Sequence, residues 1–201
     1  MKKCALMLAA LMLVGLCSCD ESKKLASKLE GSWTGAPERL TDNAFGATTT
    51  IDTYTFTPDA AIKNGGQVLI STMLSVNGGI DQSQGVMQPF SLSAAASASV
   101  NGTWQAVDDD EVNLNIDVTT LSVEIDPKAV VLTMNMLNTD ASAATDSIKP
   151  QVMEHIKNRI TQDLQNKYFA LKRIDDVKIK GDVLEFEISS HDYYLTRQGA
   201  L

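Results

Sequence analysis

The chain reads as a mostly β, antiparallel domain with one long α-helix inserted before its last three strands. Three observations predict this. Apolar and polar residues alternate with period two through most of the chain from Gly31 onward, turn-forming clusters cut that alternation into strands, and one stretch near residue 148 switches to a helical period.

Taken in order, Ile51, Tyr54 and Phe56 lead into the turn signal Thr57-Pro58-Asp59, and Val68 to Val76 form a second run that stops at Asn77-Gly78-Gly79. Phe90 to Ser99 holds Ala94, Ala95, Ala96 and Ala98. Its flanking serines and its continuation into Val100 favour a strand with small side chains on both faces over the helix that alanine prefers. Val100 to Val107 is the first arm of a hairpin turning at Asp108-Asp109-Asp110. The returning arm alternates cleanly through Val112, Leu114, Ile116 and Val118, then again through Leu121, Val123 and Ile125.

The helix starts with Asp146 or Ser147 as N-cap and Pro150 in its first turn, and runs to about Leu171. Ile148, Val152, Ile156, Ile160 and Leu164 form its apolar stripe, supported by Met153, and Asp163 with Lys167 makes a favourable i,i+4 pair. Val177 to Lys180, Gly181-Asp182 and Val183 to Ser189 then read as a tight hairpin, and Tyr193 to Gln198 as the closing strand.

Ahead of the domain, Lys2 and Lys3 precede an apolar stretch from Ala5 to Leu16 that is too short to span a bilayer. It ends in Leu16-Cys17-Ser18-Cys19, which resembles a bacterial lipobox. The resemblance implies a signal peptide over residues 1–18, cleavage before Cys19 and lipidation of Cys19. Residues 19–29 follow as the lipidated cysteine and a polar tether or frayed helix, and residues 30–201 as a single β domain. Each buried acyl methylene contributes about 0.8 kcal/mol, so two or three chains anchor a protein firmly. Asp20 and Glu21 behind the cysteine are signals of inner-membrane retention in some bacteria and of surface export in others. The outer membrane or cell surface of a bacterial envelope is the favoured location.

Composition narrows function by exclusion. All three cysteines, Cys4, Cys17 and Cys19, lie in or at the end of the signal, which leaves the domain no thiol for a disulfide, a zinc site or a nucleophile. His155 and His191 sit on segments of different type, so no multi-histidine metal site is expected, and no cofactor. The aspartates 108 to 110 lack the glycine and distant glutamate of a calcium loop and read as a solvated turn. Without Lys2 and Lys3 the chain keeps 15 basic against 25 acidic residues, a charge of −10 that disfavours nucleic acid and anionic surfaces as partners.

Two Gly-x-Trp triplets stand out, Gly31-Ser32-Trp33 and Gly102-Thr103-Trp104. The first, with Tyr54-Thr55-Phe56-Thr57-Pro58-Asp59 and Tyr194-Leu195-Thr196-Arg197, resembles lipocalin-like lipoproteins of the Bacteroidota. That resemblance implies an antiparallel lipocalin-like barrel or half-barrel whose opening tryptophan, Trp33, is covered by Arg197 of the last strand as a structural closing pair. The helix departs from the lipocalin order, since it precedes the final three strands. The second triplet reads as a hairpin tryptophan in preference to the mark of an internal duplication, since the sequences around the two triplets share little else.

The resemblance implies a binding module for a small apolar ligand, with Leu114, Ile116, Leu121 and Val123 as candidate lining residues that double as core. The alternative is a structural or protein-interaction component of the envelope. No nucleophile elbow, phosphate loop or zinc-protease motif occurs, and adjacent His191-Asp192 reads as a turn, so no catalytic residue is named and no enzyme is expected.

Overall fold

The computed structural model describes residues 21–43, 46–80, 90–134 and 141–199. Helix α1 covers residues 21–29. Ten strands follow: β1 (Gly31–Gly35), β2 (Glu38–Asn43), β3 (Gly46–Pro58), β4 (Gly65–Ile80), β5 (Phe90–Ala106), β6 (Val112–Ile125), β7 (Val131–Met134), β8 (Arg173–Lys180), β9 (Val183–Ile188) and β10 (His191–Arg197). Helix α2 (Ala141–Ala170) stands between β7 and β8, with three strands after it.

All ten strands pair antiparallel in one sheet of order β1-β10-β9-β8-β6-β5-β4-β3-β2, with β7 paired to β5 off that path, and a further β1–β3 pairing brings the path back on itself as a ring. Strand length sets its shape. β3 to β6 run 13 to 17 residues, whereas β1 and β8 to β10 run 5 to 8. The ring is therefore complete only at the end holding the β3–β4, β5–β6 and β8–β9 turns. Beyond it the long strands continue as a trough. Its thinnest seam is β6–β8, joined at Val112↔Ile174 and Asn113↔Arg173.

Helix α2 occupies the trough. Ile156, Ile160, Leu164 and Tyr168 are buried at four-residue spacing in the same core as Ala94, Ala96 and Ala98 of β5, whose small side chains leave room over the inner face. The helix begins earlier than its predicted cap, at Ala141, so Asp146 and Pro150 lie inside it. A proline within a helix removes one hydrogen bond and ordinarily kinks or ends it, and here the helix continues through. Among the described residues no helix is long and apolar enough to cross a membrane.

One further reading changes and two are refined. Asn77-Gly78-Gly79 is no turn: it continues β4, with Gly78 opposite both Gly46 and Leu92, because both neighbouring strands supply main-chain partners. The two alternating runs of β6 belong to one strand, in which Asn101 pairs with Asp117 and Ser99 with Ser122. The intervening bulge, held by Thr120 Oγ1 donating to the Asp117 carbonyl and accepting from the Asn101 amide, resets which parity faces inward. Residues 21–29, read as a polar tether or frayed helix, form the docked helix α1. Leu25 and Leu29, four residues apart, are buried against the complete end of the ring, and Ser22 Oγ accepts from Asn64 Nδ2 at 2.9 Å. Cys19 lies outside the described residues. Strands β2 and β7 lack an alternation long enough to predict them.

Candidate ligand site at the open end of the ring

Strand β3 turns Thr48, Thr50, Asp52, Tyr54 and Phe56 inward, all buried, and Ile51 outward, against the inward placement that grouping Ile51 with Tyr54 and Phe56 implied. A buried carboxylate amid this row demands partners. Asp52 has two direct side-chain partners, each linked to a further group. Lys167 Nζ on α2 lies 2.9 Å from Asp52 Oδ2 and 2.8 Å from Glu38 Oε2, so one ammonium bridges two carboxylates. Thr72 Oγ1 donates to Asp52 Oδ1 at 2.7 Å and lies 2.5 Å from the Tyr168 hydroxyl. Threonine has one hydroxyl proton and directs it at Asp52, so Tyr168 is the donor to Thr72. At the rim, the Tyr193 hydroxyl donates to Glu38 Oε1 at 3.4 Å.

The predicted Asp163–Lys167 pair is therefore not made: Asp163 bonds Arg159 at 3.5 Å instead. Lys167 is only 19% exposed and faces the sheet, where two carboxylates offer more than one exposed partner on its own helix.

Burial and charge act on each group in turn. Burial, reinforced by Asp52, pushes the Tyr54 and Tyr168 hydroxyls well above the ordinary tyrosine value. Burial alone would lower the Lys167 pKa, but the Asp52 charge and the bonds to Glu38 and Asp52 outweigh it and hold that pKa above an ordinary lysine's. At neutral pH Lys167 therefore keeps its ammonium proton, and Tyr54 and Tyr168 keep their hydroxyl protons.

Two clefts open on either side of Glu38. One, of about 250 Å³, is bordered by Gly35, Asp52 and Tyr194; the other, of about 370 Å³, by Lys167, Leu171 and Ser189. Both share Glu38, Tyr54, His191 and Tyr193. Phe186 fixes the tyrosines from behind, parallel to Tyr193 with centroids 5.5 Å apart and edge-on to Tyr54 at 6.3 Å. Ser189 and Ser190 form the β9–β10 turn with φ of 50° and 66°, which delivers His191 opposite Ile188 and onto the cleft wall. His191-Asp192 thus opens strand β10, and both side chains are exposed. Among the described residues no three histidine, cysteine or carboxylate side chains converge as a metal site.

Two broader depressions, of about 590 and 720 Å³, share Met73 and Glu124 among small and hydroxylated residues such as Ser97, Thr53 and Ala95. They lack the converging buried charges of the rim.

The other sequence-predicted residues lie elsewhere. Leu114 and Val123 are buried core, Ile116 and Leu121 are half-buried against it, and all four lie away from the clefts around Glu38. Trp33 and Arg197 meet at the opposite end: they are register partners across β1 and β10, with the guanidinium carbon 4.0 Å from the ring centroid. Arg197 also donates to the carbonyls of Lys28 and Glu30 at 2.8 and 2.7 Å, and Trp33 Nε1 donates to the Leu29 carbonyl at 2.7 Å. Gly31 has φ of +114°, and a Cβ there would meet Arg197 Nη1 at 2.7 Å, so the guanidinium needs glycine in that triplet. In the second triplet a Cβ on Gly102 would collide with the Asn115 carbonyl, and Trp104 is buried edge-on to Phe56. Both tryptophans are core, each beside a glycine required by a different neighbour.

Glu38, Asp52, Tyr54, Lys167, Tyr168 and Tyr193 escaped sequence reasoning. The usable signal was the shared parity of Thr48, Thr50, Asp52 and Tyr54, which puts an acid on the inner face. No protein-family model matches the chain, and no curated protein matches it.

Proposed function

We propose that this is a lipid-anchored bacterial envelope protein with a lipocalin-like barrel, without enzymatic activity, that binds a small molecule at the barrel's rim. The single observation that carries this reading is the pair of clefts sharing Glu38, Tyr54, Tyr193 and His191. The ligand expected from the sequence was apolar and held in the lumen. Helix α2 takes up the trough, and the four candidate lining residues pack with the core, so the rim is the better seat. Its chemistry suits a ligand with a flat or apolar body for the tyrosine faces and a donor or positive charge for Glu38, whose carboxylate is 43% exposed and already oriented by Lys167.

Native mass spectrometry of the domain from Glu21 onward, purified from its natural host without added lipid or detergent, tests this. A reproducible bound mass that disappears in Glu38→Gln is the expected result. A bare monomer, or a bound mass indifferent to Glu38→Gln, overturns the rim site. The second reading, an interaction component without a ligand, draws on Met73 of β4, which is 63% exposed over the broader depressions. A clean oligomer in the same spectra would favour it.

A further inference from the structure

The geometry points to a fixed posture on the membrane: the complete end of the ring, covered by α1, lies against the lipid headgroups, and the Glu38 rim opens toward water. This inference rests on the lipid anchor at Cys19. It goes beyond that reading because an anchor on a flexible tether would leave the domain free to turn.

Helix α1 is docked along its length. At its start, Ser22 is 4% exposed and bonded to Asn64 in the β3–β4 turn. In the middle and at the end, Leu25 and Leu29 are 5% and 0% exposed. At its exit, three main-chain carbonyls are taken up by the tryptophan and arginine of the closing pair, Leu29 by Trp33 Nε1 and Lys28 and Glu30 by Arg197. Only Asp20 and Glu21 separate the lipidated cysteine from Ser22. Three steps of extended chain span about 10 Å, against the ~35 Å that the ten residues of a free tether could reach. The start of α1, and with it the β3–β4 turn, cannot leave the bilayer surface by more than roughly that distance.

The remaining contacts at this end come from the same geometry. The antiparallel register puts the β5–β6 turn at Asp108-Asp109-Asp110 beside the β3–β4 turn, and the Ala106 amide donates to the Asn64 carbonyl at 2.9 Å. At this end the acids Asp108 to Glu111 stand against the exposed Lys23, Lys24 and Lys28 of α1, so surface charge does not decide its apposition, which depends on the lipid and the docked helix. The far end, where His155 and Arg159 of α2 approach Gly46 and Gly78, stands roughly 40 Å along β4 from Gly65. A rim ligand therefore arrives from the aqueous side.

The test uses the full-length, lipidated protein in phosphatidylethanolamine and phosphatidylglycerol vesicles carrying a trace of acceptor-labelled lipid. Cys4 and Cys17 leave with the signal and the Cys19 thiol is acylated, so a single introduced cysteine takes the donor dye. Asp109→Cys reports the apposed end and Glu154→Cys the far end, both at exposed positions. Energy transfer to lipid should be several-fold stronger from position 109 than from 154. Inserting about ten Gly/Ser residues between Asp20 and Glu21 should bring the two together. Vesicle-bound protein with equal transfer from both positions in the unmodified chain overturns the posture while leaving the anchor standing. Protein that fails to float with the vesicles, as Cys19→Ala should, overturns the anchor and the posture with it.

Discussion

Each end of the ring is organised around one cation, and the two are used in opposite ways. At the covered end, Arg197 lies on the Trp33 face and donates to the carbonyls of Lys28 in α1 and of Glu30 just after it. At the open end, Lys167 sits between Glu38 and Asp52, with Thr72 and Tyr168 completing the series. The first arrangement couples a helix to a sheet and removes apolar surface from water. The second removes charges from water, which costs most of what their attraction returns. Ends built so differently should fail differently.

The largest effect is expected at the covered end. Trp33 is fully buried and its indole holds the last turn of α1, so Trp33→Ala should lower stability by about 3 to 5 kcal/mol in urea unfolding. An unchanged midpoint would mean that this end is not what holds the ring together. Lys167→Met comes next. It leaves the Asp52 carboxylate, 8% exposed, without its ammonium, and a fully buried pair broken this way costs about 3 to 5 kcal/mol. Partial exposure of Lys167 and Glu38 lowers the expectation to about 2 kcal/mol. Adding Asp52→Asn should recover part of that loss, because the amide oxygen still accepts from Thr72. Without recovery, the cost of Lys167→Met would come from packing and the ionic account of the rim would fail.

Alkaline pH separates the ends without mutation. Tyr54, Tyr168 and Lys167 all have folded pKa values raised above their unfolded ones. A raised pKa contributes stability that is complete below the unfolded value and lost as pH climbs toward the folded one. Stability should therefore hold steady to about pH 10 and then decline, by about 1.4 kcal/mol per pH unit for each such group. In Lys167→Met the slope should be shallower by one proton. A slope that also depends on Arg197 would contradict the division.

The two ends also differed in legibility. At the covered end the closing pair could be anticipated only through the family resemblance carried by Gly31-Ser32-Trp33 and Tyr194-Leu195-Thr196-Arg197, while Gly181-Asp182 is a local signal for the hairpin that brings that strand round. Helix α1 was legible only as a tether or frayed helix, because its composition is charged and serine-rich; its docking rests on Leu25 and Leu29 together with partners far along the chain, Asn64 and Arg197. The rim was illegible for a different reason. Glu38 and Lys167 are 129 residues apart, and the only nearby cue, Asp163 four residues before Lys167, pointed to a partner that the fold does not use. Local spacing reports local pairs, and the rim is made by the ring's closure.

The smallest change in stability should accompany the largest change in function. Glu38 is 43% exposed, and its carboxylate is one of two that Lys167 contacts, so Glu38→Gln keeps the shape, keeps one amide oxygen to accept from Lys167 with its NH2 group turned to donate to the Tyr193 hydroxyl oxygen, and leaves Asp52 compensated. A change within about 1 kcal/mol is expected from an exposed ion pair. The same substitution removes the only carboxylate that borders both clefts, and with it the charge that a donor or cationic ligand would meet. Normal urea unfolding together with loss of the bound mass would locate function at the rim and stability at the covered end. A stability loss as large as that of Trp33→Ala would merge the two roles, and Glu38 would then be one more support of the fold.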